Sequence, residues 1–380
     1  MTPLALKRLL LVATAVIAAS LAGAFTHPNH AAAAPPQLTV LPTTGPWRAA
    51  TIAQPISDPS RGGRTMISLF YPSTAASGQP APYMPKRTAD LAATALHEPK
   101  ELVESIASGA LAGAPPAPGP HPVILFSPGL TELRSDATAL VVDLASHGYV
   151  VITIDHPTET ALIEFPGGSI LNGSFRDSPN PGSSKRLRGE AVAKRVGDIA
   201  AVVHALPTID AHGPLKGQLD LSHIGMFGFS LGGAATASAM RSLPQIRAGV
   251  DLDGSLYGSA LTTPVSRPFL FVARDGHSNE TDTSWARAWA QLRGYRRQIH
   301  LIGAGHGDFN DTASFLHQLN PSQVDPSGYY GPIDPDQATR ATRTILVAFF
   351  DRFLRGATSA QAVLDNPAPA DPNLAIATNG

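Results

Sequence analysis

Gly228-Phe-Ser230-Leu-Gly232 sits between a short apolar run, Ile224 to Phe227, and a run of small residues, Ala234 to Met240. A strand that breaks at glycines directly into a helix is the setting in which G-x-S-x-G presents a serine as a nucleophile. The glycines let the backbone turn tightly. The free N–H groups and positive dipole end of the helix would face any negative charge that develops beside Ser230. The chemistry such a serine can do is acyl transfer. A neutral hydroxyl is a weak nucleophile, so it needs a base within hydrogen-bond reach, and the base needs an acid to orient it. The competing reading is a buried turn serine.

Among thirteen histidines, His306 is the best candidate base. It follows the apolar stretch at Leu301-Ile302 within Gly303-Ala-Gly-His306-Gly, and glycines on either side leave the imidazole room to reach Ser230. The plain alternative is a loop histidine capping the next helix. His156, in Asp155-His-Pro, also follows an apolar run but reads mainly as structural. The acid is open at this point. Asp253 ends the run Gly249 to Asp253, Asp275 ends Phe271 to Asp275, and Asp251 shares the face of Asp253 one pleat deeper. An oxyanion needs backbone donors. One is the amide of Leu231, and the other comes from Phe126-Ser-Pro-Gly129-Leu130. Pro128 has no N–H, so Gly129 or Leu130 must donate.

The elements that must position these groups follow from periodicity. Val123–Phe126, Tyr149–Ile154, Ile224–Phe227, Ala248–Leu252, Pro268–Ala273 and Gln298–Ile302 read as buried strands. Helical patterns at 136–147, 189–206, 234–240, 284–292 and 341–354 alternate with them, and a further helical stretch reads over 89–108. Such alternation predicts an α/β fold, a mostly parallel central sheet with helices on both faces. Ligands bind past the C-terminal strand ends of such sheets, where all the candidates above fall. Residues 35–65 and 366–380 are Pro-rich and read as an edge wrap and a disordered tail, around a catalytic domain spanning 35–365. Residues 158–185 lack periodicity and read as a long loop, a lid candidate. Lys185, Arg186, Arg188, Lys194 and Arg195 read as a solvated helix face, with Arg195 near enough to Asp198 to pair, and Trp285 and Trp289 as packing residues.

Composition narrows the function classes. Lys7 and Arg8, an uncharged apolar stretch from Leu9 to Ala24 and small residues at 31–34 form the pattern of a signal peptide over 1–34, implying secretion. The apolar core is shorter than the ~20 residues of a membrane span, which disfavours an uncleaved anchor. Cysteine is absent, so stability must come from a large core. A formal charge of −1 with 15% charged residues excludes a nucleic-acid-binding stripe. Metal-ligand spacing and a phosphate-binding glycine loop are both missing, so neither metal nor cofactor is expected.

At Phe126-Ser-Pro-Gly-Leu130, Asp143-Leu-Ala-Ser-His-Gly-Tyr-Val150, Gly228 to Gly233, Leu252-Asp-Gly254 and His306-Gly-Asp-Phe309 the chain resembles the plasma-type platelet-activating-factor acetylhydrolases and their secreted bacterial relatives. The resemblance covers roughly 64–356. It implies an α/β-hydrolase fold and favours Asp253 over Asp275 as the acid, because in that family the acid follows the strand after the nucleophile helix. It also carries Leu130 over as an oxyanion donor. Phe229 and Pro128 depart from the family, where histidines are frequent. The expected function is secreted serine hydrolysis of carboxylic esters, with a small-molecule or lipid ester as substrate and transient contact with a lipid surface. The alternatives are a lipase or polyester hydrolase with an open apolar cleft, and a catalytically silent binding protein on the same fold.

Overall fold

The computed structural model describes residues 37–58, 63–322, 325 and 327–377. The leader expected over 1–34 lies outside the described residues. The core is an eleven-stranded sheet. Its strands in chain order are β1 (Arg48–Asp58), β2 (Gly63–Ser73), β3 (Pro80–Pro82), β4 (Ala107–Ala112), β5 (His121–Ser127), β6 (Val150–Ile154), β9 (Leu219–Phe229), β10 (Ile246–Leu252), β11 (Phe269–Arg274), β12 (Arg296–Leu301) and β13 (Leu374–Ile376). The intervening β7 (Ile163–Glu164) and β8 (Ile170–Leu171) form a separate hairpin. The spatial order is β13-β12-β11-β10-β9-β5-β6-β2-β1-β4-β3. The block from β12 to β6 is wholly parallel, as the alternation of elements requires, and antiparallel strands flank it.

Strand side chains sort by the two-residue period of the pleat. Val123 and Leu125 of β5 enter one apolar cluster, and Ile124 and Phe126 enter the other. Both faces are therefore buried, and the central strands carry continuous apolar runs, at 123–126 in β5 and Val150–Ile154 in β6. The helices are α1 (Lys86–Leu96), α2 (Lys100–Glu104), α3 (Thr138–Ser146), α4 (Pro181–Ala211), α5 (Leu231–Ser242), α6 (Thr283–Trp289), α7 (Asp311–Leu319), α8 (Pro335–Leu354) and α9 (Ala360–Asp365). Helices α4 and α5 cover the first face with Val192, Ile199, Val203 and Ala235, while α3 and α8 cover the second with Leu140, Leu144, Ile345 and Phe349. No helix among the described residues is long and apolar enough to cross a membrane.

Three expectations are corrected. The tail at 366–380 is not frayed over its described part, because Leu374–Ile376 adds an antiparallel strand to β12 and Leu374 is fully buried. The segment at 158–185 is not a plain loop. Hairpin β7–β8 anchors through Ile163 and Phe165 on Met66, and α4 starts at Pro181, capped by the Asn180 side chain. Its amphipathic stripe was legible only from Gly189, where apolar residues begin. The helical stretch over 89–108 is broken: His97 adopts a left-handed φ of 59° ahead of Pro99, the chain resumes only as the short α2 and then enters β4. Strand β1 also went unread within the 35–65 wrap; Pro55 interrupts its apolar pattern while tertiary pairing with β2 holds it extended.

Candidate active site

Ser230 lies between β9 and α5 with φ 55° and ψ −118°, a conformation that L-residues avoid. The strain is held from both sides. The Ser230 N–H donates to Leu252 O at 2.8 Å, and the Ser230 carbonyl accepts from Gly233 and Ala234. Gly232 is needed because β5 passes against the turn: a Cβ there would sit 1.9 Å from Ser127 O. The sharp turn lifts Oγ out of the sheet toward the loop after β12.

That loop carries His306. Its Nε2 lies 3.0 Å from Ser230 Oγ, and its Nδ1 lies 2.5 Å from Asp253 Oδ2. Phe229 packs on the imidazole with ring centroids 4.9 Å apart and occupies the position where the sequence departs from the resembled family. Asp253 follows β10 with φ 56°, strained like Ser230, and its side chain is fully buried. Burial pushes its carboxyl up. Hydrogen bonds from His277 and His306 outweigh that and hold it down at about 2, so it is ionised at any ordinary pH.

The other acid candidates lie elsewhere. Asp275 accepts from the Gly303 N–H at 2.7 Å and thereby ties down the start of the His306 loop. Asp251 is buried beneath the elbow, where it accepts from the Gly254 N–H, and burial drives its carboxyl strongly toward the neutral form.

Behind the serine, the N–H of Leu231 opens α5 and so has no partner within the helix. In the opposing turn, the Gly129 N–H donates to Glu132 Oε2 at 2.8 Å. Of the two candidate donors in this turn, Gly129 is therefore already engaged. Glu132 also accepts from Asn310 Nδ2 at 2.9 Å, which links the oxyanion turn to the loop that follows His306.

The turn is braced from beneath by a network with no signature in the sequence. Arg195, expected on a solvated face and beside Asp198, is instead 1% exposed. It donates to Pro128 O, to Gly129 O at 2.8 Å and to Ser127 Oγ at 3.1 Å. Its charge is matched by both oxygens of buried Glu159, each at 2.8 Å. Ser127 Oγ, already an acceptor from Arg195, gives its own proton to His156 Nε2 at 2.8 Å, and His156 Nδ1 then donates to Asp198 at 2.9 Å. This serine–histidine–aspartate series is wholly buried, so it supports the fold rather than facing a substrate. Arg195 is reached only because α4 packs against β1 and β9 of the sheet, a tertiary fact that its run of basic neighbours conceals.

Titration of the surrounding groups should register in stability. Burial pushes Asp311 and Glu132 up to about 7 and Asp308 up to about 6. Burial pushes the His277 imidazole down, but hydrogen bonds to Asp253 and Asp282 outweigh it and raise it to about 9. In each case the folded chain holds its proton to higher pH than the unfolded chain. The carboxyl contributions are therefore complete near pH 4 and lost as pH rises through about 7. The His277 contribution is complete below about 6.5 and lost as pH rises through about 9. The melting temperature is expected to fall steadily from pH 5 to pH 9; a calorimetric series in which it rises would contradict this balance.

Among the described residues no cluster of His, Asp and Glu could hold a metal ion. The arrangement offers a hydroxyl, an imidazole able to take its proton, a buried carboxylate on the far nitrogen and a helix N-terminus directly behind the hydroxyl. Such a set is suited to acyl transfer.

The chain is similar to several known ester hydrolases. A probable 1-alkyl-2-acetylglycerophosphocholine esterase of Arthroderma benhamiae is 29% identical over 205 residues, covering 51% of this chain and 50% of the relative. A bis(hydroxyethyl) terephthalate hydrolase of Streptomyces coelicolor is 28% identical over 159 residues, covering 42% and 40%. The matched stretch thus spans half or less of the length of these curated relatives. A solved ferulic acid esterase from Streptomyces cinnamoneus superposes with a TM-score of 0.75 at 32% identity, covering 90% of this chain and 99% of that one. The family model of platelet-activating factor acetylhydrolase, isoform II, matches residues 63–362, and the chain belongs to that family of α/β-hydrolases.

Proposed function

We propose that this chain is a secreted serine hydrolase that cleaves carboxylic esters through an acyl-serine intermediate. The observation that carries the reading is His306 bridging Ser230 Oγ at 3.0 Å and Asp253 at 2.5 Å. Ser230 Oγ attacks the ester carbonyl carbon while His306 Nε2 takes its proton. The carbonyl oxygen becomes an oxyanion facing the Leu130 and Leu231 amides. Collapse of the tetrahedral intermediate breaks the bond to the alcohol, which leaves with the proton from His306. Water then attacks the acyl-serine, with His306 again accepting and returning the proton, and the free acid departs. Asp253 holds the imidazole in the tautomer that presents Nε2 to Ser230 and stabilises the imidazolium.

Acetyl and other short acyl esters, lipid esters included, are the proposed substrates, in line with the acetyl-ester name of one relative. A second reading, hydrolysis of aromatic-acid esters or polyesters in a more open cleft, is favoured by the terephthalate hydrolase and the ferulic acid esterase. A panel of p-nitrophenyl esters from acetate to palmitate, run beside methyl ferulate and bis(hydroxyethyl) terephthalate, separates the two. A rate maximum at short acyl chains is expected. A maximum on the aromatic esters would replace the first reading with the second. Absence of turnover on every ester, together with no labelling by a fluorophosphonate, would leave only a binding protein.

The assignment of the acid carries its own test. Asp253→Asn is expected to lower kcat by about 10⁴-fold, because an amide favours the wrong imidazole tautomer. Asp275→Asn touches only the Gly303 amide and should cost less than about tenfold. The reverse ranking would move the acid to the end of β11.

A further inference from the structure

Asp253 holds two histidines, and the mechanism above uses only one. His277 follows β11 in Arg274-Asp-Gly-His277. Its Nδ1 lies 2.5 Å from Asp253 Oδ1 and its Nε2 lies 3.2 Å from Asp282 Oδ2. An imidazole with a carboxylate oxygen at each nitrogen satisfies both only by donating from both, so the ring is a cation.

The cation is built in rather than incidental. His277 is 7% exposed and lies on Trp285 with ring centroids 4.1 Å apart. Trp285 Nε1 donates to Gly254 O at 2.7 Å, which ties this platform to the residue after Asp253. Asp282 is fixed as the N-cap of α6 and accepts from Ser255 Oγ at 2.6 Å. The groups facing His277 are Asp253 and Asp251 from the end of β10, Arg274 from β11, and Asp282 and Trp285 from the start of α6. His306 stands across the Asp253 carboxylate.

We propose that His277 is a positioning residue, an imidazolium clamp between Asp253 and Asp282 that aims the Asp253 carboxylate at His306. The proposal rests on the reading of Ser230, His306 and Asp253 as the catalytic set. Two consequences follow. To act as a base His306 must take up a proton and so brings no charge of its own beforehand, and a buried carboxylate without a charged partner is costly. His277 is buried against that carboxylate and supplies the partner, whereas the Arg274 guanidinium at 3.3 Å is 39% exposed and gives weaker support. A fixed positive charge one carboxylate away also opposes a second one on His306. The acid limb of the rate profile therefore sits lower than it would beside a neutral residue.

The test compares kcat/KM across pH 4–10 for the full chain and His277→Gln, on the p-nitrophenyl ester that wild type turns over fastest. Glutamine keeps a donor but removes the charge. The acid limb is expected to move up by on the order of one pH unit, with kcat falling roughly tenfold at little change in KM. In parallel, the imidazole ¹⁵N–¹H spectrum of His277 in a Ser230→Ala chain is expected to show both nitrogens protonated at pH 7. That spectrum does not depend on turnover, so a chain lacking esterase activity would overturn the catalytic reading while the clamp is still judged on its own. Superimposable acid limbs, or a neutral His277 ring at pH 7, overturns the clamp. If His277→Gln fails to fold, Asp282→Asn decides: the ring should lose its proton at least one pH unit lower than in wild type, and an unchanged titration overturns the proposal.

Discussion

Ser230→Ala is expected to lower kcat on any ester by on the order of 10⁶-fold and to leave the unfolding transition where it was. The reading of the site predicts both halves. Ser230 Oγ makes one side-chain contact, the 3.0 Å hydrogen bond to His306, and its backbone carries the strained turn whichever small side chain is present. Alanine at φ 55° is strained much as serine is, so stability should change by no more than about 0.5 kcal/mol. The contrast with a structural serine is sharp, since removing a buried hydroxyl that holds the fold together would cost stability and spare no particular reaction. Steady-state rates with two ester substrates and a thermal melt of both proteins make the check. Retained hydrolysis would remove Ser230 from the proposed role.

Arg195→Ala is expected to produce the largest stability loss of any single change near the site. The substitution strips three acceptors on the oxyanion turn of their donor and leaves the Glu159 carboxylate buried without its partner. Breaking a buried pair in this way costs about 3–5 kcal/mol, which in a domain of this size lowers the melting temperature by roughly 4–8 °C. Activity should fall even in the folded fraction, because the turn that presents Leu130 loses its brace. Arg186→Ala is the natural control. Arg186 lies on the same helix in an exposed pair with Glu190, a pair type worth less than about 1 kcal/mol. Equal melting temperatures for the two variants would show that the Arg195 network is dispensable.

Most of the parallel sheet was legible from the sequence because its strands are buried on both faces and carry apolar runs, unbroken in Val150–Ile154 and at 123–126 within β5. The elements that went unread are those stabilised by pairing or capping rather than by pattern. Strand β1 carries Pro55 within it and is held by β2, and β13 is held by β12. The first turns of α4 rest on the Asn180 cap before any apolar stripe begins.

The same division runs through the site. Ser230, Leu231 and His306 were nameable from residue type, glycine context and position past a strand end, as were the alternatives Asp253 or Asp275 and Gly129 or Leu130, since local backbone demands leave a local trace. The choice of Asp253 over Asp275, however, came from resemblance. In the structure it corresponds to which carboxylate reaches His306, a matter of loop geometry between β10 and β11. Arg195, Glu159, His277, Asp282 and Glu132 left no local trace at all. Each works through a partner at least 24 residues away or through a turn whose shape is set by packing, except Asp282, which sits 5 residues from His277. The sequence by itself determined the layered fold and the reactive groups, because periodicity and glycine placement act over a few residues. Only the tertiary structure decided how those groups are charged, aimed and braced, because hydrogen bonding and burial depend on which distant segments the fold brings within about 3 Å.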